Sequence, residues 1–343
     1  MPNKLRFPAE WEPQSAVLLA WPHESTDWAD RLAGVERTYV ALVAAITRFQ
    51  PALVCVANAA LRERAVGLLT AAGATMARVR FFQVDYDDTW LRDSGPVTLR
   101  DGDGFRLLDF LFTAWGGKFE AGLDDQVVAK LHASGLLATA SHQRIDFALE
   151  GGGIETDGAG TLLSTWRCLH ERHPDLDRDQ ITRTLEGALV QSRTLWLDHG
   201  YLEGDDTDAH IDTLARFAAP DAIVFQACDD PSDHHYAELQ AMAAEIAALR
   251  TADGQPYRLF PLPWPQPVLD QGRRLAASYA NFLIINGAVL MPAYGDAADG
   301  AAAAVLAQAF PGREIVQIDC RPLIWQNGSL HCVTMQLPEG LLA

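Results

Sequence analysis

The sequence lacks most of what ties a chain to a membrane, to another thiol or to a polyanion. Nowhere does it hold the run of about eighteen apolar residues that a membrane span requires. Its opening, Met1-Pro2-Asn3-Lys4-Leu5-Arg6-Phe7-Pro8, has no apolar stretch to serve as a secretion signal. Cysteine is sparse: Cys55, Cys168, Cys228, Cys320 and Cys332, with no CxxC pair among them. An odd, dispersed set excludes a disulfide framework and a zinc knot, so a soluble, cytoplasmic protein with reduced thiols is expected. Basic residues are in deficit, 27 Lys and Arg against 45 Asp and Glu, for a net charge of −18. Phosphate binding needs clustered cations, so neither nucleic acid nor an anionic membrane is an expected partner. Small cations would be attracted instead. No low-complexity linker divides the chain, whose 343 residues suffice for one large domain or two ordinary ones.

What is present is a rhythm. Short apolar runs of β character recur at 16–21, 53–57, 79–84, 107–112, 222–227, 282–285 and 314–318. Ala- and Leu-rich segments with helical spacing lie between many of them, at 31–49, 58–72, 124–134, 178–189, 233–250 and 299–310. Asp233 and Asp299 stand where N-caps of two of these helices would be. Some strands adjoin without a helix, and Asp101-Gly102-Asp103-Gly104 marks a hairpin. A doubly wound sheet would alternate strand and helix one for one. The mixture points to a mixed-sheet α/β protein of about five repeated units, a count taken from the strand–helix rhythm. The proline-rich run Phe260-Pro261-Leu262-Pro263-Trp264-Pro265-Gln266-Pro267 reads as a surface connection, with a wall over a pocket as the alternative.

Cys332 is the most informative residue. Asn327-Gly328-Ser329 lead into it and a β-like run follows, which suits a thiol held rigidly at the mouth of a strand. Buried cysteine as a small hydrophobe is the competing reading, and it fits Cys55 and Cys228 better. Three other segments are dense in chemistry. Residues 85–96 carry four carboxylates with Trp90 and Arg92; they form either a solvated loop or a cation site. Glu150 precedes the triplet Gly151-Gly152-Gly153, where backbone can approach a ligand closely. His210 and Asp212, two apart, would share one face of a strand. A metal-dependent hydrolase using His210, Asp212 and the His234-His235 pair is a weaker alternative, because no metal-ligand spacing accompanies them. A non-catalytic binding module is weaker still, since Cys, His and acids are all present.

Taken in order, these segments resemble the agmatine deiminase and bacterial-type peptidylarginine deiminase family. The resemblance rests on Trp90-x-Arg92-Asp93-x-Gly95-Pro96, Ala114-Trp115-Gly116-Gly117, Glu150-Gly151-Gly152, His210-x-Asp212 and His331-Cys332-Val333-Thr334. Pro8-Ala9-Glu10-Trp11-Glu12, Trp21-Pro22 and the stretch from Asn281 to Asp296 extend it over nearly the whole chain. It implies a single domain over residues 1–343, a five-bladed α/β-propeller of ββαβ-type units around a pseudo-fivefold axis. It also implies Cys332 as nucleophile, His210 as acid and base, and Asp93 and Asp212 as the guanidinium clamp. Glu150 would support His210, and Trp90 and Trp115 would line the pocket. No metal or organic cofactor is implied. The implied partner is a small cationic guanidino substrate, agmatine first, with peptidyl or free arginine as the alternative; a homodimer is left open. Two stretches depart from the family pattern: Gln326 to Leu330 replaces a glycine triplet, and Asp208-Ala209 replaces Asn-Gly.

Overall fold

The computed structural model describes residues 5–343; the first four residues, and with them part of the opening read for a secretion signal, lie outside it. Five sheets share one strand order, an antiparallel pair followed by a parallel strand reached through helix. Val97–Asp101 pairs antiparallel with Gly104–Leu111, which runs parallel to Ala140–Ala148 beyond the helix Val127–Ala133. The pattern repeats with Ile154–Thr156, Thr161–Thr165 and Arg193–Leu197. It repeats again with Ala215–Ala219, Ala222–Gln226 and Arg258–Leu262, and with Leu283–Ile285, Ala288–Ala293 and Glu314–Asp319. The remaining sheet joins both ends of the chain: Met335–Pro338 lies antiparallel to Gln14–Ala20, and Ala52–Val56 and Val79–Gln83 follow in parallel. A two-stranded ribbon, Leu269–Asp270 with Arg273–Arg274, stands apart.

Sequence chemistry explains the elements that were legible. The helix Leu32–Phe49 places Val35, Tyr39, Leu42, Val43 and Ile46 on one face, and all are buried against the sheets. Each such side chain stabilises the fold by roughly 1.5–3 kcal/mol. Asn58 caps Ala59–Ala71, its side chain accepting from the Leu61 amide at 2.8 Å. Ala52–Val56 is central in its sheet and wholly buried, hence its unbroken apolar run.

Other expectations need correction. Ala140–Ala148 is a strand, yet its sequence is polar because it lies on a sheet edge with much of one face exposed. The proline-rich run begins inside an edge strand, Arg258–Leu262, where Pro261 is tolerated. The rest of that run packs with His235 and Leu275, away from Cys332. Neither aspartate is an N-cap. His235 stands at the N-cap position of the helix Tyr236–Ala248 without a side-chain capping hydrogen bond, and Asp233 instead accepts from Trp264 and Arg274. Asp299 opens its helix from inside, and its carboxylate accepts from Tyr279 Oη and the Tyr294 amide. Loop donors outcompeted the helix amides for both carboxylates. Among the described residues, no helix is long and apolar enough to cross a membrane.

Candidate active site

Each of the five larger sheets is entered through a short irregular segment just before its first strand. These segments are Leu91–Ser94, Gly151–Gly153, Ile211–Thr213, the stretch ending at Asn281, and the stretch carrying Cys332. They touch one another. The Arg92 amide donates to the Cys332 carbonyl at 3.1 Å, the His331 amide to the Asn281 carbonyl at 3.2 Å, and the Gly152 amide to Asp93 Oδ1 at 2.9 Å.

Gly152 marks where the chemistry converges. A Cβ added there would lie 2.6 Å from His210 Nδ1, 2.8 Å from Asp93 Oδ1 and 3.1 Å from Asp212 Oδ2. Cys332 Sγ is 3.6 Å from Asp212 Oδ2. His210 Nε2 faces Glu150 Oε2 at 3.4 Å, while its Nδ1 is 3.7 Å from Asp93 Oδ1 and makes no hydrogen bond. Asp212 Oδ1 is likewise buried and unpartnered. Asp212 Oδ1 is the acceptor of the two, one that the N–H groups of a cation can satisfy, and His210 Nδ1 opens onto the same buried cluster. Trp115 Nε1 donates to Asp93 Oδ2 at 2.9 Å, fixing that carboxylate. Trp90 lies against Gly328, where any Cβ would sit 2.2 Å from the indole.

Electrostatics follow from burial and company. Burial, Asp212 and Asp93 push the Cys332 thiol well above its ordinary value, because a thiolate there would be a third anion. Burial, with Asp212 and Glu150 nearby, raises Asp93 to about 6 against the pull of His210. Burial alone would lower His210, but the Asp93 charge and contacts to Cys168 and Glu150 outweigh it, and its pKa stands well above 6.5. For Asp212 the cost of burial is overcome by His331, His210 and Arg92, and its pKa is lowered.

Cys332 and Asp93 open onto a cavity of about 610 Å³, whose wall also includes Trp90 and Trp115. Beyond them stand Asp27, Asp87, Asp88, Glu120, Asp124 and Asp206, and among the described residues no lysine or arginine lines it. His210, Asp212 and Glu150 are buried beneath this wall.

A family profile described as Porphyromonas-type peptidyl-arginine deiminase matches residues 6–338. The chain belongs to that deiminase family. Among curated relatives it is similar to the agmatine deiminase of Stutzerimonas stutzeri, 35% identical over 97% of this chain and 95% of that one. A crystal structure from Porphyromonas gingivalis, provisionally named arginine deiminase, is 47% identical over 99% of this chain and 100% of that one, with a TM-score of 0.93. C. jejuni agmatine deiminase, solved as a cysteine-to-serine variant with substrate bound, is 35% identical over 99% of this chain and 98% of that one, with a TM-score of 0.91.

In this deiminase the residues singled out from sequence, Cys332, His210, Glu150, Asp93, Asp212, Trp90 and Trp115, gather at one place. The His234-His235 pair does not join them. His234 and His235 group with Glu203, and both His235 nitrogens are engaged, with Asp233 and the Glu203 amide. Sequence reading gave no role to Asn281, whose Nδ2 is 3.2 Å from Cys332 Sγ and whose Oδ1 accepts from the His331 amide at 2.9 Å. It also gave none to His331, which bridges Asp212 Oδ2 at 2.7 Å and Glu10 Oε2 at 2.8 Å. Position was the available signal for Asn281: it precedes the first strand of its sheet, as Asp93, Asp212 and Cys332 precede theirs.

Proposed function

We propose that this deiminase hydrolyses the guanidinium of agmatine to N-carbamoylputrescine and ammonia through a covalent adduct on Cys332. The observation that carries it is Cys332 at the foot of a cavity in which every charged lining residue is an acid. Agmatine is a dication, with a guanidinium for the floor and an ammonium for the outer acids. Free arginine would bring a carboxylate to a wall without a cation.

The residue roles follow from the distances. Asp93 and Asp212 clamp the guanidinium nitrogens by charge-assisted hydrogen bonds, holding the central carbon over Cys332 Sγ. As the cation binds, the Cys332 thiol releases its proton to solvent, and the incoming positive charge stabilises the thiolate. Sulfur attacks carbon and a C–S bond forms. His210, held by Glu150 through Nε2, gives the proton on Nδ1 to the departing nitrogen; the C–N bond breaks and ammonia leaves. The thiouronium that remains is attacked by water, whose proton His210 takes. The adduct's hydroxyl gives its remaining proton to solvent, where it protonates the released ammonia, as the C–S bond breaks to give the ureido product and the thiolate. Trp90 and Trp115 flank the alkyl chain. No step calls for a metal or an organic cofactor.

The shared strand order of the five sheets and the joining of chain ends support closure of residues 1–343 into one five-bladed propeller, with the entry segments along its axis. Five free, buried thiols agree with a cytoplasmic setting.

An ammonia-release panel with agmatine, free arginine and arginyl peptides tests the substrate. Agmatine is expected to exceed arginine in kcat/KM by about a hundredfold. Equal or better turnover of arginine or of peptides would overturn the choice.

The outer acids also predict a pH dependence. Burial, with neighbouring acids, raises Asp88 to about 7 and Asp124 to about 8. Each binds a cation only after losing its proton, so affinity rises as pH climbs through these values. In a Cys332→Ser variant, calorimetry is expected to give an agmatine Kd that falls about tenfold from about pH 6 to about pH 8. A Kd that is flat or rises with pH would count against these carboxylates as the ammonium site.

A further inference from the structure

Two loops beside the Cys332 cavity hold their backbones where L-residues resist going. Ala114 and Trp115 have φ of 47° and 57°, and Asp208 and Ala209 have φ of 65° and 71°. Left-handed residues that carry a Cβ persist only where their surroundings over-determine them.

One carboxylate oxygen serves both loops. Asp208 Oδ2 accepts from Lys118 Nζ at 2.7 Å and from Arg172 Nη1 at 2.7 Å. Lys118 also donates to the Asp206 carbonyl at 2.5 Å, and Arg172 Nη2 to the Thr207 carbonyl at 2.9 Å. Lys118 follows the left-handed turn that carries Trp115, whose indole holds Asp93. Arg172 is buried, and its Nε donates to Glu150 Oε1 at 2.8 Å, on the carboxylate whose other oxygen faces His210. These contacts close a ring from Asp93 through Trp115, Lys118, Asp208, Arg172, Glu150 and His210, and back to Asp93. The guanidinium site lies between its two ends.

We infer that Asp208 is a positioning residue, which joins the Trp115 turn to the Arg172–Glu150 arm so that Asp93 and His210 face the substrate at fixed separation. Neither loop has another ion pair that spans them among the described residues. The inference rests on the proposed deimination at Cys332. Asp208 itself touches neither Cys332 nor the cavity floor.

The test uses Asp208→Asn and Lys118→Met, singly and together, in the full chain. Two readouts are taken: agmatine kinetics, and alkylation of Cys332 by chloroacetamidine and by iodoacetamide. Chloroacetamidine carries an amidinium that needs the Asp93–Asp212 clamp; iodoacetamide needs only access to sulfur. Asp208→Asn is expected to lower kcat at least about tenfold with KM within about threefold, and to slow chloroacetamidine by a similar factor while leaving iodoacetamide unchanged. Lys118→Met should lose less, Lys118→Arg should restore most of it, and the double variant should be no worse than Asp208→Asn, because the pair acts as one unit. Losses that multiply in the double variant overturn the inference. So does an Asp208→Asn enzyme that keeps the wild-type kcat and chloroacetamidine rate, or one in which both alkylations accelerate, the sign of mere loosening. A wild-type enzyme that releases no ammonia from agmatine refutes the substrate reading instead, and the ratio of alkylation rates still decides the role of Asp208.

Discussion

Gly152→Ala is expected to lower kcat/KM for agmatine by about a thousandfold while leaving the protein folded. The methyl group would arrive 2.6 Å from His210 Nδ1 and 2.8 Å from Asp93 Oδ1, closer than any Cβ contact can be held. Neither neighbour can yield freely. Asp93 is fixed by the Trp115 indole and the Gly152 amide itself, and His210 is buried against Glu150. Overpacking of this kind costs about 1–3 kcal/mol of stability, which a chain with so extensive a core survives. The damage falls on geometry, because the methyl displaces groups that must meet the guanidinium within a fraction of an ångström. Steady-state kinetics with thermal melting checks this. A variant that melts near the wild type and keeps a tenth of its activity would remove Gly152, and the site drawn around it, from consideration.

Cys332→Ala is expected to abolish turnover, by at least about ten-thousandfold, and still to bind agmatine. The two effects separate because sulfur contributes little to the clamp; Asp93, Asp212 and the outer acids are untouched. Removing the thiol also removes a group whose ionisation the neighbouring carboxylates oppose. Ammonia release and calorimetry on one preparation check both halves. In the wild type, acid quench during turnover should trap an adduct on the Cys332 peptide. Ammonia release by the alanine variant above about one per cent of wild type would mean that another nucleophile does the work.

Legibility differed by residue for identifiable reasons. The segments holding Asp93, Glu150, His210, Asp212 and Cys332 stood out because reactive residues beside glycine and at strand mouths are more than folding alone requires, and the role of each came with the family resemblance. Asn281 was invisible as chemistry: an amide before an apolar strand is ordinary, and only its approach to Cys332 Sγ sets it apart. Lys118 carried no signal in the sequence and Asp208 stood out as a departure from the family pattern; tertiary contact brings them into one chain of hydrogen bonds. Ala140–Ala148 and Arg258–Leu262 were missed as strands because edge positions relax the apolar requirement. Asp233 and Asp299 misled because a carboxylate before a helix also suits a loop, and competing loop donors are not local in sequence.

The sequence alone determined the class of chemistry: one thiol at a strand mouth, an imidazole, paired acids and an overall negative charge, in an order that resembles a deiminase family. Those are local facts, fixed by residue type and spacing. Tertiary structure decided which nitrogen of His210 is left without a hydrogen bond, that Asp212 approaches the sulfur, and that, among the described residues, the charged residues lining the cavity are acids. Such properties depend on distances between segments hundreds of residues apart, and Coulomb and hydrogen-bond energies change over a single ångström, a scale that spacing along a chain does not encode.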